Sequence, residues 1–194
     1  EHKIWVVHDL AYADLVFDGY KAPSILQVPG AMEVAVEFFT LSKRYNMPGW
    51  RVGFCCGNRA LVGALARIKS YLDYGTFTPI QIAAITALEG PQDDVETMMA
   101  AFDERRRVIV PLLNQIPGFS CLDPGGAFYA FPNISGTGMG AKELQTRLLE
   151  EAGIATVAGP SFGVHADQYI RFSYANSVEN IERAIQRIGE MLTG

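Results

Sequence analysis

Short apolar runs that favour β-structure alternate with segments of helical periodicity in the first half of the chain, and this alternation restricts the fold more than any other feature. The runs are Ile4–Val7, Ser24–Val28 and Arg51–Cys56, with a shorter one at Phe38–Leu41. Their near-continuous apolarity is typical of strands buried on both faces of a sheet. We therefore predict an α/β sheet layer in this part of the chain.

Helices are predicted after the last of these runs. In the first, apolar residues recur at steps of four, three and four, which places them on one helix face: Leu61, Leu65, Ile68 and Leu72. Residues Ile80–Leu88 predict a second, buried helix. A long connecting helix is predicted over Asp93–Ile116, because acidic residues cluster at its start and arginines follow, as the helix dipole favours.

Shorter elements alternate after Pro117-Gly118, and they predict a compact α+β domain. The predicted strands are Phe119–Leu122, Ala127–Phe131, Ile154–Val157 and Tyr169–Tyr174. The predicted helices are Ala141–Ala152 and Val178–Leu192. We place the domain boundary at the start of the long helix, so that residues 1–92 form one domain and residues 93–194 a small second domain that begins with this helix.

The composition indicates a folded protein of a reducing compartment. Of the 194 residues, 49% are hydrophobic, which is enough to bury a real core. The 16 basic and 21 acidic residues give a net charge of -5 without long blocks of one sign, which argues against nucleic-acid binding. The adjacent Cys55 and Cys56 suggest no disulfide framework, and they are poor metal ligands because strand neighbours point to opposite faces. We expect a cytoplasmic protein without a metal site.

The start of the chain and its longest apolar runs bear on targeting. No apolar run reaches the roughly 18 to 20 residues that span a bilayer, and the opening residues do not form a signal peptide. We therefore expect no membrane association. The chain has no initiator Met and opens almost directly into a β-type run, so we expect it to be cut from a longer protein.

A lysine lies at the end of a predicted strand, close to hydroxyl groups and ahead of an arginine. Thr40 and Ser42 precede Lys43, and Arg51 follows it by eight residues. An enzyme that uses pyridoxal 5'-phosphate (PLP) needs such a set. The lysine amine forms a Schiff base with the cofactor aldehyde, while the arginine fork and the hydroxyls hold the phosphate. A lone lysine in a turn would be an ordinary surface residue, and only the joint pattern favours the cofactor role.

An acid and a tyrosine follow the first predicted strand. Asp9 comes two residues after Val7, and Tyr12 follows three residues later. Ligands of open α/β sheets bind at the carboxyl ends of strands. An aspartate there can keep a pyridine nitrogen protonated, and a tyrosine hydroxyl can bond the phenolic oxygen of the ring. Taken alone, Asp9 would more often be a turn or cap residue, and its combination with Lys43 is what favours function.

A third candidate is Arg171, in the middle of the apolar strand Tyr169–Tyr174. A buried guanidinium needs an anionic partner, and a substrate carboxylate can supply bidentate bonds. The alternative is an edge-strand arginine with its head in water. The segment Pro124–Phe131 is interpreted as scaffold, and His8 and His165 as structural residues, with His8 a possible support for its neighbour Asp9.

These motifs occur in one order over nearly the whole chain, and together they resemble the class I and II aminotransferases of the aspartate-aminotransferase fold family, in their C-terminal half. The resemblance implies the C-terminal part of a PLP-binding large domain, with a mainly parallel sheet and helices, followed by a small α+β domain. It implies that Lys43 is the catalytic residue and carries PLP, and that Asp9 and Tyr12 contact the cofactor ring.

The resemblance extends to the phosphate, the substrate and the reaction. Thr40, Ser42 and Arg51 would bind the phosphate, and Arg171 the substrate α-carboxylate. The implied reaction moves an amino group between an α-amino acid and a 2-oxo acid, with Lys43 also moving the proton at the substrate α-carbon. Residues 67–79 look most like bacterial glutamate–pyruvate (alanine) aminotransferases, and no basic residue lies between Ser70 and Pro79. We therefore expect alanine and glutamate as amino donors.

Two alternatives remain open. Another PLP reaction, such as β-elimination by a carbon–sulfur lyase, uses the same scaffold. The chain could also be a catalytically incomplete fragment, because the family's phosphate loop, its ring-oxygen asparagine and the tyrosine from a second subunit belong to the other half. The family implies a homodimer for the full-length parent, and we expect the isolated chain to be poorly active or inactive.

Overall fold

The computed structural model describes residues 2–193. The chain divides into two compact units, a first unit that ends at Glu96 and a second unit that begins at Thr97. The division lies within the long helix that spans Asp93–Gln115.

The first unit is built on a three-stranded sheet with the order β1-β2-β3. Its strands are β1 (Val6–Asp9), β2 (Ala35–Thr40) and β3 (Gly53–Gly57). Strands β1 and β2 are parallel, whereas β2 and β3 are antiparallel. Among the described residues the sheet is therefore mixed rather than mainly parallel. The physical reason is the connection between β2 and β3, which turns back through a single helical turn instead of crossing the sheet with a long helix.

The helices of the first unit follow the predicted order. They are the single turns α1 (Ala31–Val34) and α2 (Leu41–Arg44), then α3 (Arg59–Leu72) and α4 (Thr78–Glu89). Asn58 caps α3 by accepting hydrogen bonds from the backbone N–H groups of Ala60 and Leu61. Helices α3 and α4 were predicted from their sequence patterns, whereas the single turns α1 and α2 were not, and α4 is not the buried helix that we expected. Ile85 on α4 is 53% exposed, and Ala84 is the buried residue of this helix.

One strand prediction and one burial prediction in the first unit are wrong. Residues Ser24–Val28 contain a 3-10 helix, Ile25–Gln27, because the Ser24 hydroxyl accepts the Leu26 backbone N–H and caps a turn. Strand β1 is not buried on both faces, since Val7 is 66% exposed. Burial within the sheet is concentrated at Ala35 and Val36 in β2.

The second unit combines a short antiparallel sheet with three helices. The strands, in the order β4-β6-β5, are β4 (Tyr129–Ala130), β5 (Val157–Ala158) and β6 (Ile170–Ser173). The helices are α5 (Asp93–Gln115), α6 (Ala141–Glu150) and α7 (Val178–Thr193), of which α5 begins in the first unit. The strand predicted at Phe119–Leu122 is reduced to an isolated bridge between Ser120 and Asn133.

The second unit buries one continuous apolar core between its helices and its sheet. Fully buried side chains come from α5, α6, α7, β6 and the loops between them: Leu113, Ile134, Leu144, Leu148, Ile170 and Ile188. Tyr174 is buried as well, and its hydroxyl donates a hydrogen bond to the Ala127 carbonyl at 2.8 Å. Burial raises the pKa of Tyr174 well above its ordinary value. The phenol therefore stays neutral inside the core.

Candidate active site

The candidate residues of the first unit lie at one edge of its sheet, the edge formed by the carboxyl ends of β1 and β2. Because β1 and β2 run parallel, Asp9 and Thr40 end their strands at the same edge. Strand β3 runs the other way and begins there, with Gly53 opposite Thr40. Arg51 precedes β3 by two positions and Lys43 follows β2 by three, so both belong to this edge. This is where ligands bind in open α/β sheets.

Thr40 organises the turn that contains the lysine. Its Oγ1 accepts the backbone N–H of Ser42 at 3.1 Å, which caps α2. The same hydroxyl lies 2.9 Å from Ser42 Oγ, to which it can donate. These contacts order the first turn after β2, and Lys43 is therefore held on a short, capped turn rather than on a free loop.

A small polar cavity lies beside this turn. It has a volume of about 190 Å³ and is lined by Thr40, Ser42, Arg51, Val52 and Gly53. Arg51 adopts a left-handed backbone conformation, with φ 53°, and its Nη1 donates to the Pro48 carbonyl at 2.8 Å. Two hydroxyls and a guanidinium around one small cavity are suited to an anion such as a phosphate group.

Gly53 is required by the packing of the same cavity. A Cβ added at this position would clash with the carbonyl oxygen of Phe39 in the neighbouring strand. The absence of a side chain lets β3 approach β2 closely at the edge of the sheet. This close approach lets the backbone at Gly53 line the cavity.

Lys43 and Tyr12 come together on the other side of the turn. Lys43 Nζ lies 5.3 Å from the centroid of the Tyr12 ring, within the range of a cation–π contact. An ion pair between Arg44 Nη1 and Asp14 Oδ1, at 3.2 Å, ties α2 to the loop after β1. The structure thus brings Lys43 and Tyr12 together, as the sequence predicted for two residues of one site.

Asp9 is the last residue of β1 and is exposed. Its neighbour His8 does not contact it as a support, because successive strand residues point to opposite faces. The His8 ring instead bonds Glu37 through Nδ1 at 2.9 Å. Sequence reasoning missed Glu37. The signal was a single carboxylate inside the otherwise apolar segment Ala35–Phe39.

Arg171 lies in the second unit, in the middle of β6. Its guanidinium carbon is 4.2 Å from the centroid of the Tyr129 ring and 4.5 Å from that of Phe162. Phe131 contacts Phe162 edge-on, with the ring centroids 5.9 Å apart. The sequence predicted that a buried Arg171 would need an anionic partner. The side chain is only partly buried, and the contacts described here are with aromatic rings. Contact with two rings restrains the guanidinium, and a guanidinium fork is suited to bind a carboxylate.

The aromatic partners of Arg171 were not predicted. The segment Pro124–Phe131 was interpreted as scaffold, although Tyr129 and Phe131 stand two positions apart and therefore on one face of the chain. That spacing was the available signal. Phe162 gave none, because its contact with Arg171 depends on the turn Gly159–Phe162, which follows β5.

Within residues 2–193, no three or more His, Cys, Asp or Glu side chains cluster as a metal site. Within the same range no helix is both long enough and apolar enough to cross a membrane.

Known proteins resemble the chain over nearly its whole length. It is 50% identical over 192 residues to the glutamate-pyruvate aminotransferase AlaC of Escherichia coli (strain K12), which covers 98% of this chain and 46% of that enzyme. It is 40% identical over 188 residues to an LL-diaminopimelate aminotransferase of Desulforudis audaxviator (strain MP104C), which covers 97% of this chain and 47% of that enzyme. The chain thus spans about half the length of the curated relatives it matches.

The fold comparison and the family comparison agree with this result. The crystal structure of an aromatic aminotransferase from Pyrococcus horikoshii OT3 superposes with a TM-score of 0.94 at 33% identity, covering 98% of this chain and 51% of that one. The family model for aminotransferase class I and II matches residues 1–188. The family predicted from the motifs is confirmed, and the chain belongs to the class I and II aminotransferases.

Proposed function

We propose that this chain carries the cofactor-lysine half of a PLP-dependent aminotransferase that moves an amino group between alanine or glutamate and a 2-oxo acid. The observation that supports it best is the sheet edge where Lys43, Tyr12 and the cavity between Thr40 and Arg51 lie together. The 50% identity to a glutamate-pyruvate aminotransferase favours these substrates. Matches to LL-diaminopimelate aminotransferases at up to 40% identity make a larger amino acid the second candidate.

The residues of the sheet edge fit the cofactor that the family uses. Class I and II aminotransferases are PLP-dependent. The cavity of about 190 Å³ offers two hydroxyls and a guanidinium, the donor set that a phosphate group requires. A primary amine on the adjacent turn can hold an aldehyde. When bound, PLP supplies an electron-accepting ring that stabilises negative charge at the substrate α-carbon.

Each residue of the first unit has a proposed task. Thr40, Ser42 and Arg51 bind the phosphate and fix the position of the cofactor. The Asp9 carboxylate bonds the pyridine nitrogen and keeps it protonated, and the Tyr12 hydroxyl bonds the phenolic oxygen. These contacts orient the ring before substrate arrives, so little reorganisation is needed during the reaction.

Lys43 has two proposed tasks. Its amine holds the cofactor between turnovers and, once displaced by the substrate, removes the proton from the α-carbon and returns it to the cofactor carbon. An amine is suited to this task only if its position is fixed. The capped turn of α2 and the ion pair from Arg44 to Asp14 provide that constraint.

Arg171 is proposed to bind the substrate α-carboxylate through bidentate hydrogen bonds. The Tyr129 and Phe162 rings both contact the guanidinium and limit its rotation. A pre-oriented fork loses less conformational entropy when it binds a carboxylate than a free side chain does.

The substrate proposal is tested by a profile of amino donors with the full-length protein. We expect alanine to be turned over faster than aspartate, because residues 71–79 offer no basic group for a distal carboxylate. Glutamate, the other proposed donor, must then be accommodated by a group outside this segment. LL-diaminopimelate is assayed beside them. Faster turnover of aspartate or LL-diaminopimelate than of alanine would contradict the proposal, and pyruvate release without a 2-oxo acid acceptor would indicate the lyase alternative.

A further inference from the structure

Glu37 is the centre of a polar cluster on β2. Its Oε2 atom is 2.9 Å from His8 Nδ1, accepts the Ser24 hydroxyl at 2.7 Å and accepts the Ile25 backbone N–H at 3.1 Å. The Glu37 side chain is only 14% exposed. One carboxylate oxygen therefore joins three segments of the chain: β1, β2 and the capped turn at residues 24–27.

Loss of the Glu37 carboxylate is expected to destabilise this cluster. Burial alone would raise the pKa of Glu37, but hydrogen bonds from Ser24, His8 and the Ile25 backbone outweigh burial and hold this pKa below its ordinary value. The carboxylate is therefore charged at neutral pH. Removing it would take the acceptor from the Ser24 hydroxyl in a partly buried position and leave the Ile25 N–H with only its longer contact to His8 Nδ1, at 3.3 Å.

The position of the cluster links it to the register of β1. His8 and Glu37 are direct partners in the parallel pairing of β1 with β2. Within residues 2–193, β1 pairs with β2 and is an outermost strand of the sheet. The cluster is therefore a side-chain restraint on the register of this strand, in addition to the backbone pairing of β1 with β2.

Register decides where the next residue points. A slip of one position moves every side chain of a strand to the opposite face. Asp9 follows His8 directly. The backbone N–H of the next residue, Leu10, donates a hydrogen bond to the Phe38 carbonyl at 2.9 Å. A shift of β1 would therefore remove the Asp9 carboxylate from the edge at which Thr40 and Lys43 lie.

We infer that Glu37 is a positioning residue which, through His8 and Ser24, fixes the register of β1 on β2 and so holds Asp9 toward the cofactor ring. The inference rests on the proposed PLP site for its functional consequence. Its structural part, the restraint on β1, stands on the hydrogen bonds of the cluster.

The test uses the full-length protein and the variants Glu37→Ala, Glu37→Gln and Ser24→Ala. Glu33→Gln is the matched control, because Glu33 lies on the neighbouring turn α1 and is exposed. Hydrogen exchange of the β1 amides is measured without PLP. PLP affinity and the visible absorption band of the bound cofactor, which reports protonation of the ring, are measured in parallel.

We expect Glu37→Ala to speed exchange at Val7–Leu10 by about 10-fold or more, to weaken PLP binding and to shift the absorption band. Glu37→Gln keeps an acceptor for Ser24 and Ile25 and is expected to recover most of both effects. Ser24→Ala gives a milder form of the same changes if Glu37→Ala does not fold.

Two outcomes would overturn the inference. One is unchanged exchange in β1 in both Glu37→Ala and Ser24→Ala. The other is faster exchange with an unaltered PLP affinity and absorption band, which would make the cluster structural only. A wild-type protein that binds no PLP would refute the proposed function instead, and the exchange measurement would still decide whether the cluster restrains β1.

Discussion

The two units of the chain differ in how far their apolar side chains are buried. The second unit encloses leucine and isoleucine side chains from three helices in one core, and several of them are fully buried. The first unit has a small buried cluster around Leu41, Met47 and Ala84 and further buried side chains such as Leu15 and Val36, while large apolar side chains on β1, α3 and α4 are exposed. The residues proposed to bind the cofactor lie on the unit with fewer fully buried side chains, so the proposed chemistry and most of the apolar packing belong to different units of this chain.

The difference explains why hydrogen bonds and ion pairs, more than apolar packing, hold the candidate site of the first unit in place. Its site is organised by the Thr40 cap, the Arg44–Asp14 ion pair and the Glu37 cluster rather than by a deep apolar core. In the second unit, Arg171 contacts the Tyr129 and Phe162 rings. The two units should respond differently to substitution, and the following experiments measure that difference.

The largest expected effect is at Lys43. Replacing it (Lys43→Ala) in the full-length protein removes both the group that holds the cofactor and the group that moves the proton. Loss of the acid–base function alone costs roughly 100- to 10,000-fold in rate. We expect transamination to be abolished with the circular dichroism spectrum unchanged. Lys21→Ala, at an exposed position, serves as control, and near wild-type turnover in Lys43→Ala would end the assignment.

A second large effect is expected from the 194-residue chain by itself. Exposed apolar side chains on α3 and α4 should make it self-associate, and the cofactor should be loosely held. A misplacement of about 1 Å can cost roughly 100-fold in rate. Sedimentation velocity, PLP content and alanine–oxoglutarate activity are compared with those of the same chain joined to the part of AlaC that it does not match. Equal activity in the two proteins would refute this prediction.

Arg171 should give an intermediate effect on substrate binding. The variant Arg171→Lys keeps the charge but loses the bidentate fork, and the loss of a charge-assisted hydrogen bond corresponds to roughly 10- to 100-fold in affinity. We expect KM for alanine to rise by this factor with PLP binding unchanged. Arg183→Lys on α7 is the control in the same unit. An unaltered KM would show that Arg171 does not contact the carboxylate.

The contrast in packing is tested by one pair of alanine variants. Leu144 on α6 is 0% exposed and Ile85 on α4 is 53% exposed. In urea unfolding of the isolated chain, Leu144→Ala should lower the free energy of unfolding by about 2–5 kcal/mol, and Ile85→Ala should change it by no more than about 0.5 kcal/mol. Similar losses in both variants would mean that the first unit is better packed than its exposed surfaces indicate.

The smallest expected effect is a pH dependence of the Glu37 cluster. The pKa of Glu37 in the folded chain lies below its ordinary value of 4.5. Its contribution is therefore complete above pH 4.5 and is lost as the pH falls through the folded-state pKa. The difference in urea midpoint between wild type and Glu37→Gln should shrink below pH 4.5. A difference that is constant or increases on acidification would contradict the sign of this shift.

Sequence alone predicted the family and most helices, because those depend on long patterns. The motif from Thr40 to Arg51 could be interpreted because each residue type is suited to one chemical task at a strand end. The segment Ser24–Val28 could not, since a cap by a single serine hydroxyl overrode its apolar, β-favouring composition. Burial of α4 was also mispredicted, because an apolar sequence does not specify which surface covers it.

Contacts between distant residues were the other part that sequence could not supply. The bond between His8 and Glu37 depends on the strand register, and the rings around Arg171 come from β4 and from the turn after β5. Each of these residues looked like an ordinary structural residue in its local context. Their arrangement follows only from the pairing of strands that are separated in the chain.

The central claim is that Lys43 is the residue that holds the cofactor, and it is tested most directly by mapping the bond between them. The full-length protein is incubated with PLP, reduced with borohydride to fix the cofactor carbon to the amine, digested, and analysed by mass spectrometry. The account predicts that the cofactor mass is found on the peptide containing Lys43 and disappears in Lys43→Ala. Modification of another lysine, or of none, would contradict it.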